Sequence, residues 1–291
     1  PLIATPVVLL AVTMVLLRQR DTGAGVFRAA DSKQNAGTRL LSGPLAFATR
    51  RRIGEVLAWG VGVALLGVMW GGLSQSLVGL SKSQPQTAKT LQAAGLGAIL
   101  TPAGFVAVMD VFTAVVLALY AVTFIHGDYD DEIRTRLDLP YSNRVTRTGW
   151  AGSTLVTGTV ALIALAAVLG LFTWAGSEFA GAGLSVGDSF GAAANVLPVV
   201  AVFLGLAMLL HGVLPSWSAG VVGALAVGLY LVELIGPALK WSHWVLDLSP
   251  YHHLALVPTV SPAWPALGIM IGIGVAASAV GLFGYAHRDL R

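Results

Sequence analysis

Three acidic side chains lie inside long apolar segments of the sequence: Glu55, Asp110 and Glu233. A charged carboxylate in the middle of a membrane span costs about 2.5–3.5 kcal/mol, and less near the interface, so each of the three needs a physical reason. Asp110 and Glu233 could bind a cationic substrate, relay protons, or make packing hydrogen bonds between helices. Glu55 lies one helical turn from the end of its segment, beside arginines, which favours a structural role. We name all three as candidates for a substrate path.

The sequence offers no residue set for the common chemistries of enzymes. There is no cysteine, and His252-His253 with nearby Asp247 lack both the H-E-x-x-H pattern and a third ligand at helical spacing, so we expect no metal site. Because a G-x-x-x-x-G-K-[ST] phosphate loop is also missing, we expect no cofactor and no catalytic residue in this chain. No nucleophile–base pair can be assembled within the apolar segments. We therefore expect a protein that is not catalytic by itself.

The elements that carry these acids are predicted from composition. Of 291 residues, 56% are apolar and 11% are charged, against about 25% charged in a typical soluble domain. The mean hydropathy of +0.78 is typical of a membrane protein with several spans. A net charge of +3 does not suggest a nucleic-acid partner. The fold class is therefore an all-α transmembrane helical bundle in a lipid bilayer.

A helix needs about 20 mostly apolar residues to cross a hydrocarbon core. Six complete runs have this length: residues 53–73, 104–125, 151–175, 196–214, 219–239 and 264–285. A shorter run, residues 1–17, has no basic region or cleavage site of a signal peptide, and we interpret it as the end of the last span of a preceding half. The chain then divides into this span end, a linker (18–52), a six-span domain (53–285) and a tail (286–291).

Arginine placement predicts the orientation of the bundle. Residues 18–52 hold eight basic and two acidic residues, and the other arginines lie in residues 126–150 and in the tail. The alternate loops hold only Lys82, Lys89 and Lys240. By the positive-inside rule, the linker and the C-terminus are cytoplasmic, in a bacterial plasma membrane.

The end of the linker resembles a helix that lies along the inner membrane surface. Leu41, Leu45 and Ala48 share one helical face, Pro44 suits a first helical turn, and Arg50, Arg51 and Arg52 follow. The arginines could equally serve only as a signal that sets topology. We predict an interfacial elbow helix at this position.

The segment 128–150 is rich in paired charges. Asp130 with Arg134, and Glu132 with Arg136, are acid-before-base pairs at i, i+4, so the preceding helix should continue beyond the membrane before Pro140 interrupts it. A charged cytoplasmic hairpin would result. A solvated loop without a partner is the alternative.

Several motifs along the chain resemble those of ATP-binding-cassette (ABC) type-2 permeases, in the actinobacterial tetronasin-type group of antibiotic and multidrug exporters. The matching residues are Asp131-Glu132, Arg136, Asp138, Val145-Thr146-Arg147, Trp150, Leu248-Ser249-Pro250-Tyr251 and Arg288-Asp289. The resemblance covers this whole chain but only the C-terminal half of such a permease.

The resemblance implies a permease whose hairpin docks into a separate ATPase subunit, with two such subunits in the complex. The coupling residues would be Asp131, Glu132, Arg136, Asp138, Arg144 and Arg147. ATP and Mg would be bound by the partner, and a preceding six-span half would be covalently linked. The function implied is ATP-driven export of a hydrophobic or amphipathic drug by alternating access.

Two further hypotheses concern the spans. An ion-coupled secondary transporter could use Asp110 and Glu233, since buried acids are a mark of that class. Two faces of small residues should let helices approach closely. These faces are Gly60, Ala64, Gly67 and Gly71, and Gly268, Gly272, Ala276 and Ala279.

Overall fold

The computed structural model describes residues 44–93, 97–133 and 146–287, and these residues form helices joined by short turns. The α-helices are α1 (Pro44–Ser83), α2 (Pro85–Ala93), α3 (Pro102–Ile133), α4 (Arg147–Ala180), α5 (Val186–Asn195), α6 (Leu197–Val213), α7 (Pro215–Ile235), α8 (His243–Asp247) and α9 (Trp264–His287). Two 3₁₀ turns, Gly97–Leu100 and Pro250–His253, complete the order. No strand occurs in these residues, so the all-α prediction is confirmed.

Six segments of the described chain are long and apolar enough to cross a membrane, which is the number of complete spans predicted. They are Ala48–Ser76, Pro102–Tyr129, Arg147–Ala180, Val186–Val213, Pro215–Ile235 and Trp264–His287. The predicted preceding span end, residues 1–17, lies outside the described residues.

The first long helix, α1, runs without interruption from Pro44 through Arg50–Arg52 into the span. The three arginines therefore lie on the early turns of the spanning helix itself. The part of the predicted elbow before Pro44 lies outside the described residues, so a separate elbow remains a prediction there.

The fourth span is broken into α5 and α6, and this break was missed from the sequence. Ser185 and Asp188 form a capping box that starts α5, so the span begins ten residues before the predicted residue 196. Pro198 lies at the N-terminus of α6, where its missing N–H interrupts the helical hydrogen bonds after Asn195. The result is a discontinuous membrane-spanning helix.

Glycines bring two pairs of helices into backbone contact. A Cβ on Gly71 of α1 would collide with the carbonyl oxygen of Thr173 on α4. In the same way, a Cβ on Gly205 of α6 would collide with Gly274 of α9. The first small-residue face thus packs as predicted at Gly71.

The second predicted small-residue face is wrong. A Cβ on Gly268 or Gly272 would meet nothing within 4 Å. Gly274 and Gly281 make the close approach instead. Because α9 is apolar on all sides, its sequence does not indicate which face is buried.

Helix α3 is the centre of the bundle and contacts α1, α4, α6 and α7. Its buried side chains include Leu117, Tyr120 and Phe124, which belong to one continuous hydrophobic core. The central helix also carries two of the acids considered below, Asp110 and Asp128.

Candidate functional site

A cluster of charged and polar side chains joins three helices at the end of the bundle where α3 ends and α4 begins. Arg52 of α1 donates from Nη1 to Glu55 Oε2 at 2.9 Å and from Nη2 to Asp128 Oδ1 of α3 at 3.2 Å. Thr154 of α4 donates to the other carboxylate oxygen of Asp128 at 2.5 Å. The side chains of Arg52 and Asp128 are 13% and 7% exposed, so the pair is largely shielded from water.

The position of the guanidinium depends on its aromatic and glycine neighbours. Its Cζ lies 5.0 Å from the ring centroid of Phe124, within cation–π range. A Cβ on Gly127 would collide with the guanidinium of Arg52, so a side chain there would displace it. We call Arg52, Glu55, Asp128 and Thr154 the Arg52 cluster.

Glu55 is therefore one member of an ion pair, as a structural role requires. Asp128 was not identified as a functional residue from the sequence. It is 76 positions from Arg52, and no local spacing relates the two. Only the packing of α1 against α3 brings them together.

Two members of the Arg52 cluster, Asp128 on α3 and Thr154 on α4, lie on either side of the predicted hairpin. Helix α3 continues past residue 125 to Ile133, which confirms the predicted extension of this helix. Asp131 and Glu132 lie on its last turn, although their side chains are outside the described part. Arg136, Asp138 and Arg144 lie outside the described residues, and Arg147 is the first residue of α4.

At the opposite end of the bundle, Glu233 of α7 is paired with a histidine. Glu233 Oε2 lies 2.9 Å from Nδ1 of His252, and Ser249 Oγ donates to the carbonyl of Leu229 at 3.0 Å. These two bonds attach the 3₁₀ turn Pro250–His253 to α7. The sequence placed Glu233 on a substrate path, whereas the structure gives it a partner in the segment between α7 and α9.

Tyr251 anchors the same turn in the bundle. Its ring stacks on Phe203 of α6 and contacts Tyr230 of α7 edge to face. Burial, and then the neighbouring Tyr230 phenol, raise the pKa of Tyr251, so its hydroxyl stays neutral. His253 Nε2 lies 2.9 Å from the backbone oxygen of Asp247. Within the described residues, no group of three or more potential ligands could hold a metal ion.

Asp110 is the most isolated of the three span acids. It is 3% exposed, and neither carboxylate oxygen has a hydrogen-bond partner among the described residues. Trp70, on the neighbouring α1, donates instead to Thr113, one turn further along α3. The three candidates do not converge: Glu55 and Glu233 lie at opposite ends of the bundle, and Asp110 lies in the core.

Comparisons with known proteins place this bundle in a family. Residues 41–286 match the family model of the C-terminal domain of the multidrug efflux system permease Rv1217c. The chain belongs to this family of multidrug efflux permeases. It is 27% identical over 297 residues to the multidrug efflux system permease protein Rv1217c of Mycobacterium tuberculosis. The match covers 99% of this chain and 53% of that relative, so the chain spans about half the length of the curated relative it matches.

The bundle has a large groove outside the Arg52 cluster. Its volume is about 1120 Å³, and its walls come from α4, from both sides of the break between α5 and α6, and from α9. None of Glu55, Asp110 and Glu233 lines it. The Arg52 cluster and this groove thus lie on different surfaces of the bundle.

Proposed function

We propose that this chain is the C-terminal half of the transmembrane permease of an ATP-driven ABC exporter, in the tetronasin-type group. It moves a hydrophobic or amphipathic drug out of the cell by alternating access. Support comes from membership of the multidrug efflux family and from the motifs that resemble ABC type-2 permeases. The relative's name describes multidrug efflux for that protein, and we extend this function to the chain.

The Arg52 cluster is the observation that carries the proposed coupling. Asp128 lies on α3 just before the hairpin, and Thr154 lies on α4 just after it. Arg52 binds Asp128 to α1, and Thr154 donates to the same carboxylate. Breaking a buried ion pair by removing one partner typically costs about 3–5 kcal/mol, so these parts of α1, α3 and α4 are expected to move together. A force applied to the hairpin would therefore reach three spans at once.

The hairpin is proposed to dock into a separate ATPase subunit, with two such subunits binding ATP and Mg. The residues proposed for this contact are Asp131, Glu132, Arg136, Asp138, Arg144 and Arg147. A preceding six-span half, covalently linked, completes the permease. The Arg52 end, the linker and the C-terminus face the cytoplasm of a bacterium.

Co-purification and coupled ATP hydrolysis test this function. Charge reversal at the hairpin, Glu132→Lys or Arg136→Glu, should weaken ATPase binding and drug-stimulated hydrolysis while membrane insertion stays intact. Lys89→Glu is the matched control, because Lys89 is an exposed charge on α2, at the other end of the bundle. Transport that persists without any ATPase and stops when the proton gradient collapses would overturn the proposal.

An ion-coupled secondary transporter is the alternative, and one observation favours it. The buried carboxylate of Asp110, unpartnered in the described chain, could carry a proton. The pairing of Glu233 with His252 removes the second acid from such a relay. If the alternative holds, Asp110→Asn should abolish transport driven by a proton gradient.

A further inference from the structure

The broken fourth span is attached to two different parts of the bundle, one on each side of its break. Its first half, α5, lies against α4. A Cβ on Gly170 of α4 would lie 3.0 Å from Cα of Phe190 and 3.2 Å from the carbonyl oxygen of Ser189, both in α5. Only a glycine allows the two backbones to approach this closely, so the first half of the span is packed tightly on α4.

The second half of the span, α6, is packed on α9 instead. A Cβ on Gly205 of α6 would collide with the carbonyl group of Gly274 of α9. Seven residues later on both helices, a Cβ on Gly212 would collide with the carbonyl group of Gly281. The backbones of α6 and α9 therefore stay in contact over about two helical turns.

Where α4 approaches α6, the contact is made by a side chain. The Cδ1 atom of Leu204 on α6 would lie 3.7 Å from a Cβ on Gly158 of α4, which is an ordinary van der Waals distance. The end of a leucine side chain can change rotamer, whereas two backbones in contact cannot adjust unless a whole helix moves. This contact therefore resists a change of angle less than the glycine contacts do.

Between α5 and α6, the span lacks a hydrogen bond that would make it one stiff helix. In a continuous helix, the N–H of residue 198 would donate to the carbonyl of Ala194, four residues earlier. Pro198 has no N–H, and its ring occupies the space in which that bond would form. The break follows the ten residues of α5 and lies inside the span. Short breaks at the ends of helices are where hinge motions are absorbed in other proteins.

One side-chain hydrogen bond crosses this break. Asn195, the last residue of α5, donates from Nδ2 to the carbonyl of Ala255 at 2.9 Å. Ala255 follows the turn Pro250–His253, in which the Tyr251 ring stacks on Phe203 of α6 with the ring centroids 5.7 Å apart. Asn195 is 8% exposed, so water does not readily replace Ala255 as its partner. The bond therefore holds the end of α5 to a segment that is packed on α6.

We infer that the break between α5 and α6 is a hinge, and that the hydrogen bond from Asn195 to Ala255 is its latch. Bending at residues 196–198 turns α6 and α9 together relative to α1, α4 and α5. While the bond is made, the observed angle is favoured, and when it breaks, other angles become accessible. The hinge is a property of the bundle, so it does not depend on which energy source drives export.

Distances between pairs of spin labels, measured by double electron–electron resonance, test the hinge. The chain has no cysteine, so cysteines for labelling are introduced in pairs, and any cysteine elsewhere in the transporter is replaced. One pair crosses the hinge, and two control pairs lie on one side of it. All the labelled positions are exposed: Leu57 on α1 with Phe283 on α9 across the hinge, and as controls Leu57 with Phe179 on α4, and Val213 on α6 with Ile269 on α9.

The measurement uses the purified whole transporter in lipid nanodiscs without nucleotide. In wild-type protein, the distance distribution across the hinge should be broader than either control distribution. Asn195→Leu removes the donor with little change of shape, and it should increase the population of the minor distances about two- to tenfold, the range expected for one neutral hydrogen bond. Pro198→Ala restores the N–H and should narrow the distribution to the width of the controls. Pro102→Ala, at the start of α3, is the matched control and should change nothing.

The other outcomes overturn the inference. Equal widths for all three label pairs in wild-type protein would show that the fourth span does not bend. An unchanged distribution across the hinge in Asn195→Leu would exclude the latch, and one in Pro198→Ala would exclude the break as the pivot. Changed control distances in either variant would show that the two sides do not move as units. Because no nucleotide or drug is present, the hinge can fail this test while ATP-coupled export is retained, and it can pass if export proves to be driven by protons.

Discussion

Arg52 and Asp128 are 76 positions apart in the sequence, yet a hydrogen bond of 3.2 Å joins their side chains inside the bundle. This bond links the first span to the last turns of the second, immediately before the proposed coupling hairpin. The same guanidinium also donates to Glu55, which explains why an acidic side chain is tolerated at that position in the span. The stability of the bundle and its coupling should therefore depend on one arginine.

Replacing Arg52 should destabilise the bundle. Arg52→Met leaves Asp128 buried without its cation, and we expect a loss of about 3–5 kcal/mol in unfolding free energy. The thermal unfolding midpoint of the purified protein in detergent measures this effect. Arg50→Met is the control, because Arg50 is exposed on the same helix. An equal midpoint for the two variants would contradict a structural role for the buried pair.

Substitution at Gly71 should separate α1 from α4. Gly71→Leu forces a side chain against the backbone of Thr173, and overpacking of this kind typically costs about 1–3 kcal/mol. The neighbouring Gly72 is the control, because a Cβ there would meet nothing within 4 Å. Gly72→Leu should leave the unfolding midpoint unchanged or slightly higher. If both variants lose stability equally, helix propensity or insertion is responsible and the close contact is not.

The pair of Glu233 and His252 should hold the turn Pro250–His253 on α7. His252→Ala should increase hydrogen exchange of the backbone amides in this turn, with a small effect of about 0.2–1 kcal/mol because the pair is partly exposed. Exchange measured by mass spectrometry on the reconstituted protein tests the effect. Glu178→Ala removes an exposed acid at the same end of the bundle and should leave the turn unchanged.

Neutralising Asp110 should not destabilise the protein. Its carboxylate has no partner among the described residues, and Asp110→Asn removes a charge whose burial is unfavourable. We expect an unfolding midpoint equal to or above that of wild type. Asp188→Asn is a useful comparison, since Asp188 closes the capping box of α5 and its replacement should lower the midpoint. A fall of more than about 1 kcal/mol in Asp110→Asn would show that Asp110 has a stabilising partner.

The sequence was sufficient for the number of spans, because hydrocarbon thickness and hydropathy act on each segment separately. It also predicted that α3 continues past residue 125, as it does to Ile133, because spacing within one helix is a local signal. It did not show which face of α9 packs, since a helix that is apolar on all sides carries no facial signal. The wrong choice of Gly268 over Gly274 follows directly from this.

The residues of the candidate site could be predicted only in part from the sequence, because tertiary contacts leave no local pattern. Glu55, Asp110 and Glu233 could be recognised as unusual from their apolar surroundings. Two contacts of the site depend instead on tertiary packing. Arg52 of α1 reaches Asp128 of α3, and His252 reaches Glu233 from a turn 19 positions later. The break after Asn195 did have a local signal in Pro198, and the start of α5 had one in Ser185 and Asp188, but hydropathy alone does not register either.

Close contacts at glycines join four of the long helices into two pairs. Helices α1 and α4 touch backbone to backbone, as do α6 and α9, and such contacts leave little room for sliding within either pair. Relative motion is then least costly between the pairs, with α3 as their common axis. The groove lies between α4 of one pair and α9 of the other. A change in the angle between the two pairs would therefore alter the width of this groove.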